Sequence, residues 1–353
     1  MNITQATTRY EAWLGRQIRL LQGDLHLKHQ RMREDPFFFL RATYYRWAQV
    51  WPEACPKTCG GPVVLSVGDL HVENFGTWRD AEGRLVWGVN DFDEAGPLPY
   101  ANDLVRLATS AFLAVEQLHV SPQDAGGEIL RGYQDALKGG GNPFVLVDRR
   151  TALRTMVRNR LREPAKFWKK LRRLAPLRNR PPSTVLPAIR SILPDQKIRL
   201  CFGHRIAGLG SLGRERYTGL GFWQGGWLAR EAKAWALSAN LFAQGESGGR
   251  QHIEEILHCA VRAHDPYWKI RGAWIVRRLS PDCFRLELSN LPEERNEMKL
   301  LYSMGWETAN IHLGSSHGAA IRKDLKGKPS CWLLRAAAQM RDEVLSDWRD
   351  WRG

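Results

Sequence analysis

The stretch from Val63 to Glu94 constrains this chain most, because its short apolar runs end repeatedly on acids and amides. Val63–Val67 reads as a buried strand that delivers Gly68-Asp69-Leu70-His71-Val72-Glu73-Asn74-Phe75. Asn74–Trp78 and Leu85–Val89 read as two strands joined by a turn at Arg79-Asp80-Ala81-Glu82-Gly83. The second of them delivers Asn90-Asp91-Phe92-Asp93-Glu94. Polar groups that follow buried strands stand at strand ends, where clefts form. An Asp followed five residues later by an Asn lets one loop aim a carboxylate at a hydroxyl while the amide turns back toward a metal. Asp69, Asn74 and Asp91 thus form an ordered set: an acceptor for a hydroxyl proton and oxygen ligands for Mg²⁺. Taken singly, either Asp would be read as a turn or cap residue.

A second constraint lies some 140 residues later, at Gly208-Leu209-Gly210-Ser211-Leu212-Gly213. The spacing G-x-G-x-x-G serves dinucleotide-binding βαβ units as well as phosphate-covering hairpins. In the first, the third glycine opens a helix. Here Arg214 to Trp223 reads as a strand, followed by a turn at Gly225-Gly226, which favours the hairpin. The run from Trp227 to Lys233 then supplies cations, Arg230 and Lys233, at the position of the next strand.

Composition sets the outer limits. The chain has 353 residues, 43% of them hydrophobic and 25% charged, with 15 Trp, enough for two packed domains or one two-lobed one. This mix excludes disorder, collagen and coiled coil. Membrane spans of about 18 consecutive apolar residues are absent, and Met1–Leu20 lacks the apolar block of a secretory leader. Six scattered cysteines read as free thiols, so a cytoplasmic location is expected. The net charge is +15, and Arg149 to Arg180 holds thirteen Lys/Arg against the single acid Glu163. Leu153, Val157 and Leu161 form one helical stripe there, and Phe167, Trp168, Leu171 and Leu174 form another after Pro164. The segment reads either as surface helices with solvated basic faces or as a dock for an anionic partner.

Residues 2–50 read as helical with a break at Asp35-Pro36. Asn102–Leu118 has helical spacing with Asn102 as N-cap, and Lys138-Gly-Gly-Gly-Asn-Pro143 reads as a linker. Strands return from Ile198 to about Leu228, helical spacing at Arg230–Phe242 and Gln251–Ala263, and a strand at Ala273–Leu279. Asn296–Trp351 reads as mostly helical.

The motifs Gly68-Asp69-Leu70-His71 through Asn74, Asn90-Asp91-Phe92-Asp93 and Asp103-Leu104 resemble the aminoglycoside phosphotransferase and choline kinase branch of the protein-kinase-like fold. More closely, the chain resembles the bacterial family catalogued as domain of unknown function 2252, over roughly residues 30–315. That family shares Gly-Asp-x-His-x-x-Asn-Phe-Gly, Asn-Asp-Phe-Asp-Glu, Asp-Leu-x-Arg-Leu and a later Gly-x-Gly-Ser-x-Gly. The resemblance implies an α+β, two-lobed kinase-like fold with a largely helical large lobe and a small β-rich lobe. It implies Asp69 as catalytic base, Asn74 and Asp91 as Mg²⁺ ligands, and Gly208, Gly210, Ser211 and Gly213 as the loop over the phosphates of ATP. Asp103 would be a structural acid beneath the catalytic loop, and His71 and Asp93 would support it; His71 reads equally as a packing residue.

The order of parts is inverted relative to ordinary kinases, and a circular permutation reconciles it, with Tyr302–His312 resembling the helix that enters the catalytic loop. The parts divide as 1–137 (catalytic loop and metal site), 138–197 (linker and basic helices), 198–285 (small lobe) and 286–353 (helical return). The lysine of the third strand is replaced by Arg230 in Arg230-Glu231-Ala232, with Lys233 three residues on and Glu254 or Glu255 as its acidic partner. The expected function is transfer of the γ-phosphoryl group of ATP to an unidentified small-molecule or protein acceptor. The alternatives are a nucleotide-binding pseudokinase that recruits an anionic partner through 149–180 and, behind it, a nucleic-acid-binding protein.

Overall fold

The computed structural model describes residues 1–146, 153–155, 164–174, 176–177, 180–288 and 296–353, and they form a mixed α+β architecture with several sheets. Four helices fill the N-terminal region: Ile3–Gly15, Gln22–Glu34, Pro36–Ala42 and Tyr44–Ala54. The expected break at Asp35-Pro36 is a helix start: Asp35 accepts hydrogen bonds from the Phe37 and Phe38 amides, and Pro36 occupies the first turn.

Strands β1 (Val63–Ser66), β2 (Phe75–Arg79), β3 (Leu85–Val89) and β4 (Gly96–Pro99) follow. β2 and β3 form the expected antiparallel hairpin, whose turn is fixed by Asp80 accepting from the Glu82 and Arg84 amides. β1 pairs with β4 rather than with the hairpin, so residues 67–74 and 90–95 leave two separate sheets side by side. Helix Ala101–Leu113 begins one residue ahead of Asn102. Asn102 is therefore no cap: its Oδ1 accepts from Trp47 Nε1 at 3.0 Å, a tertiary demand that outweighs its capping preference.

Helix Pro122–Gly139 ends at Gly140 in the left-handed conformation, and the expected linker then runs directly into β5 (Phe144–Val145) beside β3. Of the basic segment, Leu153, Val157 and Leu161 cannot be compared as a stripe, because Val157 and Leu161 lie outside the described residues. Phe167, Trp168, Leu171 and Leu174, on and just after helix Pro164–Arg172, pack with Ala229, Leu220 and Leu279 of the largest sheet. Lys169 and Lys170 remain exposed.

The largest sheet holds β6 (Leu200–His204), β7 (Arg216–Trp223), β8 (Gly226–Ala234), β9 (Lys269–Arg271) and β10 (Trp274–Leu279) in the order β6-β7-β8-β10-β9, all antiparallel. Helical spacing at Arg230–Phe242 gives way to β8 as far as Ala234, and a helix forms only at Ala239–Ala243. Strand pairing to both β7 and β10 decides this: Ala232 and Ala234 pack with Val185, Ile189 and Val276 on one face, while Glu231 and Lys233 take the other. Helices Ile253–Cys259, Glu297–Leu313, Gly318–Gly327 and Trp332–Arg352 complete the chain. One large core joins the N-terminal helices, the β1–β4 region and the C-terminal helices.

Candidate functional site

The loop after β1 is anchored from below. Asp103, fully buried, accepts from the Val67 amide at 2.7 Å and the Gly68 amide at 2.9 Å. His312 Nε2 lies 3.1 Å from the same carboxylate, and Tyr133 meets its Nδ1 at 2.8 Å. Gly68 has φ +80°, and a side chain there would collide with the Glu94 carbonyl, so the loop can approach the 90–95 segment only with glycine. The backbone turn thus held presents Asp69 to an open cleft.

Asp69 is gripped on one oxygen only. Arg106 Nε and Nη2 both donate to its Oδ1, at 2.9 and 2.5 Å, while Oδ2 has no donor among the described residues. The Arg106 guanidinium is fully buried, 4.9 Å from each of the Tyr44 and Trp47 rings, and its Nη2 also donates to the Leu40 carbonyl. Burial pushes the Asp69 carboxyl above its ordinary range; Arg106 opposes that shift and Asp91 adds to it.

Asn74 Nδ2 donates to the carbonyls of Asp69 and Asp91, both at 3.1 Å, which ties the two acidic loops together. Its Oδ1 is buried with no partner among the described residues. Such an orphaned acceptor is uncommon and points to something that completes it. Beside it, burial works against ionisation of Asp91, yet Lys233 and Arg285 hold that carboxyl well below the usual range. Their contacts to it are 3.6 and 3.3 Å. An amide oxygen and an ionised carboxylate are hard-cation ligands and fit Mg²⁺ when a ligand's phosphates supply the remaining oxygens. Among the described residues no cluster of three His, Cys, Asp or Glu could hold a metal by protein ligands alone.

Gly208, Gly210 and Ser211, in the turn between β6 and β7, line the same cleft. The ideal Cβ position of Gly210 lies 3.5 Å from Asp69 Oδ2. Gly213, at φ +96°, is pressed against Leu25, and its carbonyl accepts from the Leu21 amide at 2.8 Å, so helix Gln22–Glu34 buttresses the turn. Ser211 Oγ accepts from Arg216 Nη2 at 2.9 Å.

The two cations expected on β8 part company. Lys233 Nζ donates to both Asp93 oxygens at 2.7 and 2.6 Å. Arg230 does not reach the cleft: its guanidinium donates to the Ile192 and Ala229 carbonyls and lies 5.0 Å from the Tyr267 ring. Residues three apart on a strand point to opposite faces, which is why Arg230 and Lys233 are not alternatives for one place. Neither Glu254 nor Glu255 pairs with Lys233; Glu254 accepts from the Ile270 amide, and Glu255 meets Arg250 and His252. His71 is buried in the cleft wall, and burial with the charges of Arg41, Arg285 and Arg106 holds it well below its ordinary range. As a neutral ring its Nδ1 accepts from the Glu73 amide.

Sequence reading missed several cleft residues. Arg106 stands three residues after Asp103 on one helix, a spacing that could have shown both turning toward the same loop. Glu94 was visible in the motif, where burial now raises it to about 7 against the opposing charge of Arg214. Lys28, Arg41, Arg214 and Arg285 carried no local signal.

Residues 20–145 match the family model described as an uncharacterized protein conserved in bacteria (DUF2252). That span contains Asp69, Asn74, Asp91 and Asp103 and stops short of the glycine turn. No curated protein matches the chain, and no solved structure matches it. None of these comparisons carries the phosphotransferase resemblance.

Proposed function

We propose that the chain is an ATP- and Mg²⁺-dependent phosphotransferase with a circularly permuted, two-lobed kinase-like fold. The observation that carries this reading is one cleft lined by Asp69, Asn74 and Asp91 from the early loops and by Gly208, Gly210 and Ser211 from a turn some 140 residues later. Three further features support it. The glycine turn joins the first two strands of the large sheet and Lys233 lies on the third, as in kinases, where the lysine stands on the third strand. Helix Glu297–Leu313 braces the Asp69 loop through His312 and Asp103. Asn74 Oδ1 waits for a partner beside an ionised Asp91.

In this reading Asn74 and Asp91 would hold Mg²⁺, which when bound would neutralise charge on the phosphates of the nucleotide. Arg106 holds Asp69 by Oδ1 and leaves Oδ2 to accept the proton of the acceptor's hydroxyl. As that proton moves to Oδ2, the acceptor oxygen forms its bond to the terminal phosphorus, and the bond from that phosphorus to the bridging oxygen breaks. The nucleoside diphosphate leaves with the electron pair of that bond. The turn sits low over the cleft, since a Cβ at Gly210 would press on the Arg41 carbonyl at 2.9 Å and lie 3.5 Å from Asp69 Oδ2, and a glycine turn so placed is suited to cover phosphates with its amides.

A second reading, a nucleotide-binding chain without transfer, draws on the engagement of Asp91 and Asp93 by Lys233 and Arg285. Asp69→Ala separates the two. For an enzyme, ATP consumption with Mg²⁺ falls at least about a thousandfold while nucleotide-induced stabilisation stays within a few-fold. Nucleotide stabilisation with no turnover in the unaltered chain selects the second reading. Turnover that persists in Asp69→Ala removes Asp69 from the mechanism.

A further inference from the structure

Among the cations lining the cleft, Arg41 is paired with Glu73, Arg214 with Asp93 and Glu94, and Arg285 with Asp91. Lys233, behind them, is neutralised by Asp93. Lys28 alone, among the described residues, faces the cleft without a carboxylate or a hydrogen-bond partner. It is only 4% exposed, and its Nζ lies 5.8 Å from the centroid of the Tyr45 ring. Glu11, Glu94 and Asp69 act on it only from beyond ion-pair distance, and a buried ammonium is costly to hold charged unless an anion comes close to it. The helix that carries it, Gln22–Glu34, is docked on the glycine turn by the Leu21–Gly213 hydrogen bond and by Leu25, one turn before Lys28. Lys28 is thereby set beside backbone that suits phosphate oxygens.

We propose that Lys28 binds a phosphate oxyanion, and so fills the phosphate-binding place that Lys233, committed to Asp93, leaves open. The assignment rests on the phosphotransferase reading for its source, the terminal phosphate of the nucleotide or a phosphate on the acceptor. Burial brings Lys28 down to about 8 with Glu11 opposing, so the ammonium is still charged near neutrality. A lysine serves such a place as a compact point charge with three rotatable donors.

Calorimetric titration of the full chain and of Lys28→Gln tests it, with inorganic phosphate and with a non-hydrolysable ATP analogue or ADP in Mg²⁺. The expected result is a loss of phosphate affinity of about ten- to a hundredfold in Lys28→Gln, the range of one charged hydrogen bond. A loss for the triphosphate and not for ADP identifies the terminal phosphate as the source. Phosphate binding that survives saturating nucleotide and is lost in Lys28→Gln identifies the acceptor. Phosphate binding that depends on Lys28 in a chain that binds no nucleotide upholds the site and discards the phosphotransferase reading. Unchanged phosphate affinity, or no phosphate binding by the unaltered chain, overturns the assignment. Urea denaturation guards against a folding defect: without ligand, Lys28→Met should be at least as stable as the parent, and a lower midpoint shows that Lys28 supports the fold instead.

Discussion

Replacing Arg106 with Met keeps most of the apolar stem between Tyr44 and Trp47 and deletes the only cation among the described residues that pairs with Asp69. The guanidinium is fully buried and the Asp69 side chain 21% exposed, so the carboxylate stranded by the change is largely cut off from water. Removing one partner of a buried pair costs about 3–5 kcal/mol, and the partial exposure of Asp69 places this case near the lower end. The hydrogen bond to the Leu40 carbonyl is lost as well. We expect about 3 kcal/mol by urea denaturation near pH 7 for Arg106→Met. Asp69→Asn in the same background strands no charge, so the double variant should recover about 2 kcal/mol. The second readout is chemical. Arg106 is the main influence that offsets burial at Asp69, so its loss raises that carboxyl further, and the acid limb of the pH–rate profile moves to higher pH. Effects of the two substitutions that add within about 0.5 kcal/mol would refute the idea that Arg106 exists to hold Asp69 ionised and aimed.

The glycine turn and Glu94 yield two more expectations. Gly210→Ala sets a methyl 2.9 Å from the Arg41 carbonyl, so the turn must lift; nucleotide affinity should drop about tenfold with the denaturation midpoint nearly unchanged, and equal affinity counts against close phosphate cover. Glu94 has its folded pKa raised from 4.5 to about 7, so its stabilising contribution is full below the unfolded value and is lost as pH rises through about 7. Between those limits the parent should lose about 3 kcal/mol relative to Glu94→Gln, measured as the difference between their stability–pH curves, and parallel curves would exclude the shift.

How much of this was legible in the sequence depends on the range of the forces involved. The hairpin β2–β3 follows from two short apolar runs and from Asp80 in the turn between them, and the start of helix Pro36–Ala42 from Asp35 and Pro36, all within a few residues. The path from Arg230 to Phe242 misled, because its helical spacing was overruled by hydrogen bonding to two neighbouring strands that only the folded sheet supplies. Asn102 misled in the same way, its amide having been claimed by Trp47 from another helix.

The residues of the cleft divide along the same line. That Asp69, Asn74 and Asp91 stand where strands end, and that glycines stand in a turn before a strand, was set by the order of residue types, since strand length and turn chemistry are local matters. Which cation neutralises which acid was not. Lys233 meets Asp93, Arg106 takes Asp69 and Lys28 forms no ion pair among the described residues, by the way segments tens to more than a hundred residues apart come together. Charge pairing in a buried cleft is decided by distances of a few ångströms and by exclusion of water, and neither exists until the chain has closed.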